Sequence, residues 1–284
     1  MDARTFLGLR PTPDPLRFTM EVTPGVSTPG QFLFGGCGLA AGVSAIEQVT
    51  GRPTVWATAQ YLSFAPTGST VDVDVVVPVS GRHTGQARAV TRLDGEEILT
   101  VNAAVGSRSF PASGTWAQRP AVPPPEACPE RAVPEMFAGT IMGRVDVRIA
   151  GGRQMAELDG TPGTGRSALW ARVPGHLEPS AATLAILGDY VPGGMSEVLG
   201  LPAGGTSLDN TLRVARLVAT EWVLCDIRVH AIDNGFGHGL AHLWAEDGTL
   251  LATASQSVIV RTWEGVRGRA DREIPPHPRS ERPA

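Results

Sequence analysis

Cysteine is scarce in this 284-residue chain: Cys37, Cys128 and Cys225 stand far apart and are odd in number. No paired spacing among them suggests a zinc site or a redox dithiol, and no disulfide framework can be drawn from three such residues. A reducing compartment, the cytoplasm, is therefore expected. Charge is also scarce, with 18% charged residues and a formal net charge of -4. That balance argues against general nucleic-acid binding, which calls for a basic surface. Long apolar runs are missing as well, and no uncharged stretch is long enough to span a bilayer. Residues 1–20 carry Asp2, Arg4, Arg10, Asp14 and several prolines, so they cannot supply the apolar core of a signal peptide. Neither membrane insertion nor secretion is expected.

What the chain has in quantity is glycine (34) and proline (24) beside an apolar share of 42%. That combination predicts a packed core with many turns rather than long helical bundles. Proline is densest across 107–134, which reads as an extended linker because proline blocks both helix interiors and central strands. A tail rich in Arg, Glu and Pro, 267–284, is expected to be poorly ordered. The expected organisation is thus one unit over 1–106, the linker 107–134, a second unit over 135–266, and the tail.

The same order of elements is predicted on both sides of the linker. In the first unit a helix over 36–49 is followed by strands over 54–64, 69–78, 86–93 and 97–107. Asp94-Gly95 joins the last two, and Asp-Gly between β-prone runs is a strong hairpin signal. In the second unit a strand over 167–173 leads to a helix over 180–191, with Glu178-Pro179-Ser180 as its cap. Strands over 206–217, 221–231, 237–245 and 249–262 follow, with Asp247-Gly248 in the place of the first hairpin. The expectation is an α+β fold in which each unit wraps an antiparallel sheet around one central helix. Helices that come early in each unit disfavour a repeated parallel βαβ plan.

Several chemistries are missing. There is no Gly-x-Ser-x-Gly elbow for a serine hydrolase. The glycines at 36, 38 and 42 miss the dinucleotide spacing, and no βα alternation follows them. His238 and His242 share strand parity but have neither a Glu between them nor a third ligand, so no metal is predicted.

The order of helix, strands and Asp-Gly hairpin, given twice, resembles the double-hotdog acyl-CoA thioesterase II family. Local echoes are Phe34-Gly35-Gly36 at the first helix, the segment 62–66, Glu221-Trp222-Val223-Leu224, and the segment 253–258. The resemblance covers roughly 20–105 and 165–262. It implies a thioester hydrolase acting on acyl-CoA without a cofactor, and association into a homo-oligomer. It also implies an Asp, a hydroxyl residue and a Gln that position the attacking water. These roles fall on Asp209 within Ser207-Leu208-Asp209-Asn210-Thr211, on His230, and on Gln256. His230 departs from the family's hydroxyl. The first helix turn, Gly36 and Cys37, would polarise the thioester carbonyl.

The residues carry readings of their own. Gln256 shares parity with Ala252, Ala254, Val258 and Val260, so its amide needs a partner, because a buried bare amide costs ~1–3 kcal/mol. A backbone hydrogen bond would serve as well as a catalytic one. Asp209 reads equally as a solvated strand residue, and His230 on its own reads as a surface histidine beside an Asp. Glycines 35, 36 and 38 could expose helix N–H groups or simply allow close packing. Cys37 is not read as a nucleophile. Arg82, Arg88 and Arg92 are candidates for the CoA phosphates, although solvated arginines are commoner. A hotdog hydratase would want a His shortly after Asp209, and the chain gives Asn210-Thr211-Leu212 instead. The first unit has no acid over 54–64, so one site per chain is expected, between the second sheet and the first helix. A non-catalytic acyl-CoA-binding protein is the rival reading.

Overall fold

The computed structural model describes residues 1–175 and 178–262. The expected tail 267–284 and the last residues of the expected second unit lie outside the described residues. The first unit opens with α1 (Ala3–Leu7), β1 (Arg10–Pro11) and β2 (Arg17–Glu21), none foreseen from the sequence, and then enters α2 (Gly35–Thr50). β3 (Thr54–Tyr61), β4 (Thr70–Ser80), β5 (Thr84–Leu93) and β6 (Glu96–Gly106) follow close to their expected places. The second half adds α3 (Ile141–Arg144) and β7 (Asp146–Gly151), also unforeseen, before β8 (Arg166–Arg172). After it come α4 (Ala181–Leu187), α5 (Val191–Leu199), β9 (Ala203–Ser207), β10 (Asp209–Val214), β11 (Val223–Asp233), β12 (Phe236–Ala245) and β13 (Leu250–Thr262).

All described strands join one antiparallel sheet in the order β1-β2-β4-β5-β6-β3-β10-β13-β12-β11-β8-β7, with β9 pairing on β13. The halves meet where β3 pairs with β10. α2 lies against β3, β4, β5 and β6, α5 lies against β8, β9, β11, β12 and β13, and α4 packs beside α2. Each half is thus a sheet curled around a helix, which is the double hotdog.

Two expectations are corrected. The helix over 180–191 is two helices, 181–187 and 191–199, broken at Gly188-Asp189-Tyr190. Pro192 explains the break: it has no N–H to donate, and in a continuous helix its ring would collide with the carbonyl of residue 188. Ser180 caps α4 as expected, its hydroxyl accepting from Thr183 N–H at 3.1 Å. The strand over 206–217 is likewise two strands. β9 and β10 both run along β13, but Ser207 faces Val258 while Thr211 faces Ser255, so the register slips by one residue around Leu208. A bulge of this kind re-aims side chains.

Sequence punctuation explains the hairpins. Asp94 and Gly95 both adopt positive φ, 51° and 88°, as do Asn234 and Gly235 at 50° and 80° between β11 and β12. These are type I′ turns, whose twist matches the strands. At Asp247-Gly248 only the glycine is left-handed (φ 88°), and the Asp247 carboxylate accepts from Thr249 N–H at 2.8 Å. The proline-rich stretch 107–134 holds one 3-10 turn, Pro125–Ala127. Its residues Ala117, Val122 and Cys128 lie over the outer face of the second sheet, against Trp170, Trp222, Leu224 and Trp244. Trp170 Nε1 donates to the Pro123 carbonyl at 2.9 Å.

The main core holds Leu39, Ile46, Val101, Leu184, Leu212 and Val258, all essentially inaccessible. Burying each such side chain contributes about 1.5–3 kcal/mol. Between α2 and α4 the residues are small. A β-carbon at Gly36 would stand 2.8 Å from the Ala185 carbonyl oxygen and 3.0 Å from Asp189 Cβ. Glycine at 36 is what allows that approach.

Candidate active site

The start of α2 has no side-chain cap of its own. Its first internal bond runs from Gly38 N–H to the Phe34 carbonyl, so the preceding N–H groups lack intrahelical acceptors. One of them, Gly36 N–H, donates to Asp189 Oδ2 at 2.6 Å. The cap of the first unit's helix is therefore a carboxylate from the break between the second unit's helices. Asp189 is 5% exposed. Its other oxygen, Oδ1, accepts from Gln256 Nε2, which also contacts Ser207 Oγ at 3.2 Å. Burial drives the Asp189 pKa up from 3.8 to about 6, opposed by the hydrogen bonds from Gln256 and Gly36.

Around this carboxylate lie polar atoms without standard hydrogen bonds. Tyr61 Oη, both side-chain polar atoms of Asn210, and Gln256 Oε1 are buried and make no hydrogen bond of standard geometry, although the Asn210 side chain lies near enough to Tyr61 to favour its ionised form slightly. Asp189 Oδ2 and Tyr61 Oη each lie 3.0 Å from the point where a β-carbon at Gly35 would stand. Burial first, and the Asp189 and Asp209 carboxylates next, hold the Tyr61 phenol well above its ordinary pKa. It is a neutral donor. Buried polar groups are satisfied in most native proteins, so such a concentration singles out this part of the interior as a candidate site.

Of the residues expected from the sequence, Gln256 lies at the centre, 3% exposed and facing inward with Ala252, Ala254 and Val258. Gly36 and Cys37 form the first turn of α2. Cys37 is fully enclosed, and burial pushes its thiol far above the ordinary range, which disqualifies it as a thiolate. Asp209 stands at the bulge, where its Oδ1 accepts from Ser257 N–H at 2.7 Å, beside Gln256 but bonded to backbone. His230 is exposed on β11, at the residue where the register with β12 slips between Val229 and Ala231. Gln256 faces Gly239, which faces Val229, so two strand spacings, about 10 Å, separate the two residues' strands. Among the described contacts no hydrogen bond ties His230 to Asp189, Asp209 or Gln256. Arg92 is engaged with Asp74 at 2.8 Å and Glu97 at 2.6 Å, while Arg82 and Arg88 are exposed. No group of three potential metal ligands gathers among the described residues, and no helix there is long and apolar enough to cross a membrane.

Asp189, Tyr61 and Asn210 were not singled out from the sequence. One signal for Asp189 was present: a lone acid ending an apolar run, Ala181 to Leu187, three residues before a proline. Nothing in the sequence distinguishes Tyr61.

The two halves are related by a constant interval. Gly36 and Asp189 are 153 residues apart, and so are Thr58 and Thr211, whose hydroxyls meet at 2.7 Å where β3 crosses to β10. The two Asp-Gly turns keep the same interval. By that interval Gln256 corresponds to Ala103, buried and apolar, and Asn210 corresponds to Ala57. The polar cluster accordingly has no counterpart in the first unit.

Two hotdog units with one buried carboxylate at a helix start give an arrangement whose class the comparisons with known proteins identify as thioester-processing. A sequence profile for the acyl-CoA thioesterase C-terminal domain matches residues 125–260. The chain is similar to a candidate thioesterase of known structure from Novosphingobium aromaticivorans, 33% identical over 88% of this chain and 97% of that one, with a TM-score of 0.78. A hot dog fold protein from Alicyclobacillus acidocaldarius is 21% identical, covers 92% and 98% of the two chains, and has a TM-score of 0.78. An acyl-CoA thioesterase II from Mycobacterium marinum is 19% identical over 92% and 98%, with a TM-score of 0.72. Among proteins of curated function none matches the chain. The chain belongs to the acyl-CoA thioesterase II-like family and is a thioester hydrolase.

Proposed function

We propose that the chain hydrolyses acyl-CoA to a fatty acid and CoA, with Asp189 as the base. The observation that carries this is the Asp189 carboxylate held between Gly36 N–H and the Gln256 amide, facing four buried polar atoms that make no hydrogen bond of standard geometry. In this reading Gln256 keeps Asp189 Oδ1, while Oδ2 takes a proton from a water whose oxygen attacks the thioester carbon. The carbonyl oxygen becomes an oxyanion stabilised by the first-turn N–H groups of Gly36 and Cys37, the former passing from Asp189 to substrate. Collapse breaks the C–S bond, and the proton on Asp189 passes to the departing CoA sulfur. The products are the carboxylic acid and the free thiol.

In this reading Gln256 orients the base Asp189, whereas the resemblance read from the sequence implies that it positions the attacking water together with Asp209. Asp209 enters as a positioning residue, since its hold on Ser257 N–H fixes β13 beside Gln256. His230 is assigned no step. Tyr61 and Asn210, which lie beside each other, are suited to hold the water or the thioester through a phenol donor and an amide. A cytoplasmic location and self-association through the sheet edges at β1 and β7 belong to the same reading, the latter tested by light scattering.

Thiol release from a panel of acyl-CoAs is the test. Asp189→Asn is expected to lower kcat by roughly 10²–10⁴, the usual worth of a general base. Absence of thiol release by the wild-type protein at every chain length sinks the proposal, and saturable acyl-CoA binding without turnover would favour the non-catalytic reading.

A further inference from the structure

The outer face of the second sheet, opposite the helices, carries a concentration of positive charge that hydrolysis does not use. Arg166 on β8 and Arg228 on β11 are direct cross-strand partners, so two guanidinium groups share one face of adjacent strands. Like charges so placed repel each other. One carboxylate relieves them: Asp226, 5% exposed, accepts from Arg228 Nη2 at 2.8 Å. A third guanidinium, Arg119, comes over from the proline-rich segment and stacks on Trp170, 5.4 Å from the ring centre. The three line an open cavity of about 510 Å³ between residues 118–120 and β7, β8 and β11. Its far wall is Gly151 and Gly152, bare backbone where the β7 register slips.

Two observations indicate that the charges wait for an acceptor. Arg119 Nε and Arg228 Nε are buried with no hydrogen-bond partner. Beside them His242, cross-strand from Asp226, has a buried unpartnered Nδ1. Burial, then the charge of Arg228, depresses its pKa against the pull of Asp226, so the site disfavours a further positive charge there.

We propose that this cavity is a second binding site, separate from the hydrolytic one, for a small molecule bearing a phosphate group. Guanidinium groups match phosphate oxygens with paired, charge-assisted hydrogen bonds, and three converge here against one carboxylate that is already engaged. The volume admits a ligand of nucleotide size. Because 118–120 forms one wall, occupancy ties the proline-rich segment to the sheet.

The test is calorimetric titration of the full-length protein with inorganic phosphate, adenosine monophosphate and succinate at constant ionic strength, alongside Arg166→Ala and Arg119→Ala. Saturable binding of phosphate or the nucleotide is expected, weakened roughly tenfold or more in each variant. Thiol release from acyl-CoA should be unchanged in both, since neither arginine touches Asp189 or Gln256. Arg119→Lys, which keeps the charge but loses the fork, should bind with intermediate strength and serves as a check on folding. Absence of saturable binding by all three anions, binding of succinate alone, or equal binding by the wild type and both alanine variants overturns the proposal. Binding is read without turnover, so failure here is distinguishable from failure of the hydrolytic reading.

Discussion

Gly36 and Asp189 sit 153 residues apart and meet through a 2.6 Å hydrogen bond, backbone amide to carboxylate, that joins the two halves of the chain where the proposed hydrolysis is centred. The glycine contributes a donor and no bulk. The acid contributes a charge that its burial disfavours. Each of the predictions below perturbs this pair or its immediate neighbours.

Asp189 titrates near 6 rather than at 3.8. Between about pH 4 and 6 the folded protein therefore holds a proton that the unfolded chain has released. Its contribution to stability is greatest at the acid end of that window and falls as pH rises through it. Denaturant unfolding at several pH values should show this slope, and Asp189→Asn should flatten it. The rate should move oppositely, with kcat/KM rising through an inflection near 6 as the carboxylate ionises.

Gln256→Ala removes one of the two hydrogen bonds that hold the Asp189 pKa down. The inflection in kcat/KM should move to higher pH, and the maximum rate should fall. A Gln256 that merely fills space would lower stability and leave the inflection in place.

Gly35 and Gly36 should respond differently to alanine. At 36 the new methyl meets the Ala185 carbonyl oxygen at 2.8 Å, a backbone contact that cannot swing aside, and a loss of about 1–3 kcal/mol in stability is expected. At 35 the methyl stands 3.0 Å from Asp189 Oδ2 and Tyr61 Oη. Gly35→Ala should fold, with thiol release reduced far more than thermal stability. Melting temperature and turnover on the same two preparations separate these cases.

Tyr61→Phe deletes a buried hydroxyl that makes no hydrogen bond of standard geometry, with the Asn210 side chain nearby. Removing an unsatisfied group relieves a desolvation cost, so the melting temperature should hold or rise. A fall in thiol release from the same variant would show that the hydroxyl serves substrate or water. An unchanged rate would remove Tyr61 from the site.

The fold was legible where local rules govern. A glycine-bounded apolar run over 36–49, too long for a strand, and Asp-Gly between alternating runs specify a helix and hairpins without help from distant residues. Gln256 was legible because an amide on a face of Ala252, Ala254 and Val258 has to meet a partner. The short elements β2 and β7 were not, since each is stabilised by pairing with a strand supplied elsewhere, β4 and β8. Asp189 was hidden by its setting in an apolar helical run, where the break caused by Pro192 turns the side chain toward a helix more than a hundred residues earlier. Tyr61 and Asn210 owe their place to the crossing of β3 over β10, a contact without a local signature.

The Thr58–Thr211 contact marks an approximate two-fold axis, and Gly36 and Asp189 are equivalent positions about it. Two identical subunits arranged in this way would have to present the same residue from both sides. Two glycines would leave no base, and two acids would crowd like charges into a space with few donors. Joining the copies covalently frees each position to diverge, so that one strand of ancestry keeps the bare amide and the other the carboxylate. Fusion, on this view, is the condition for an asymmetric centre at the midline of a symmetric scaffold.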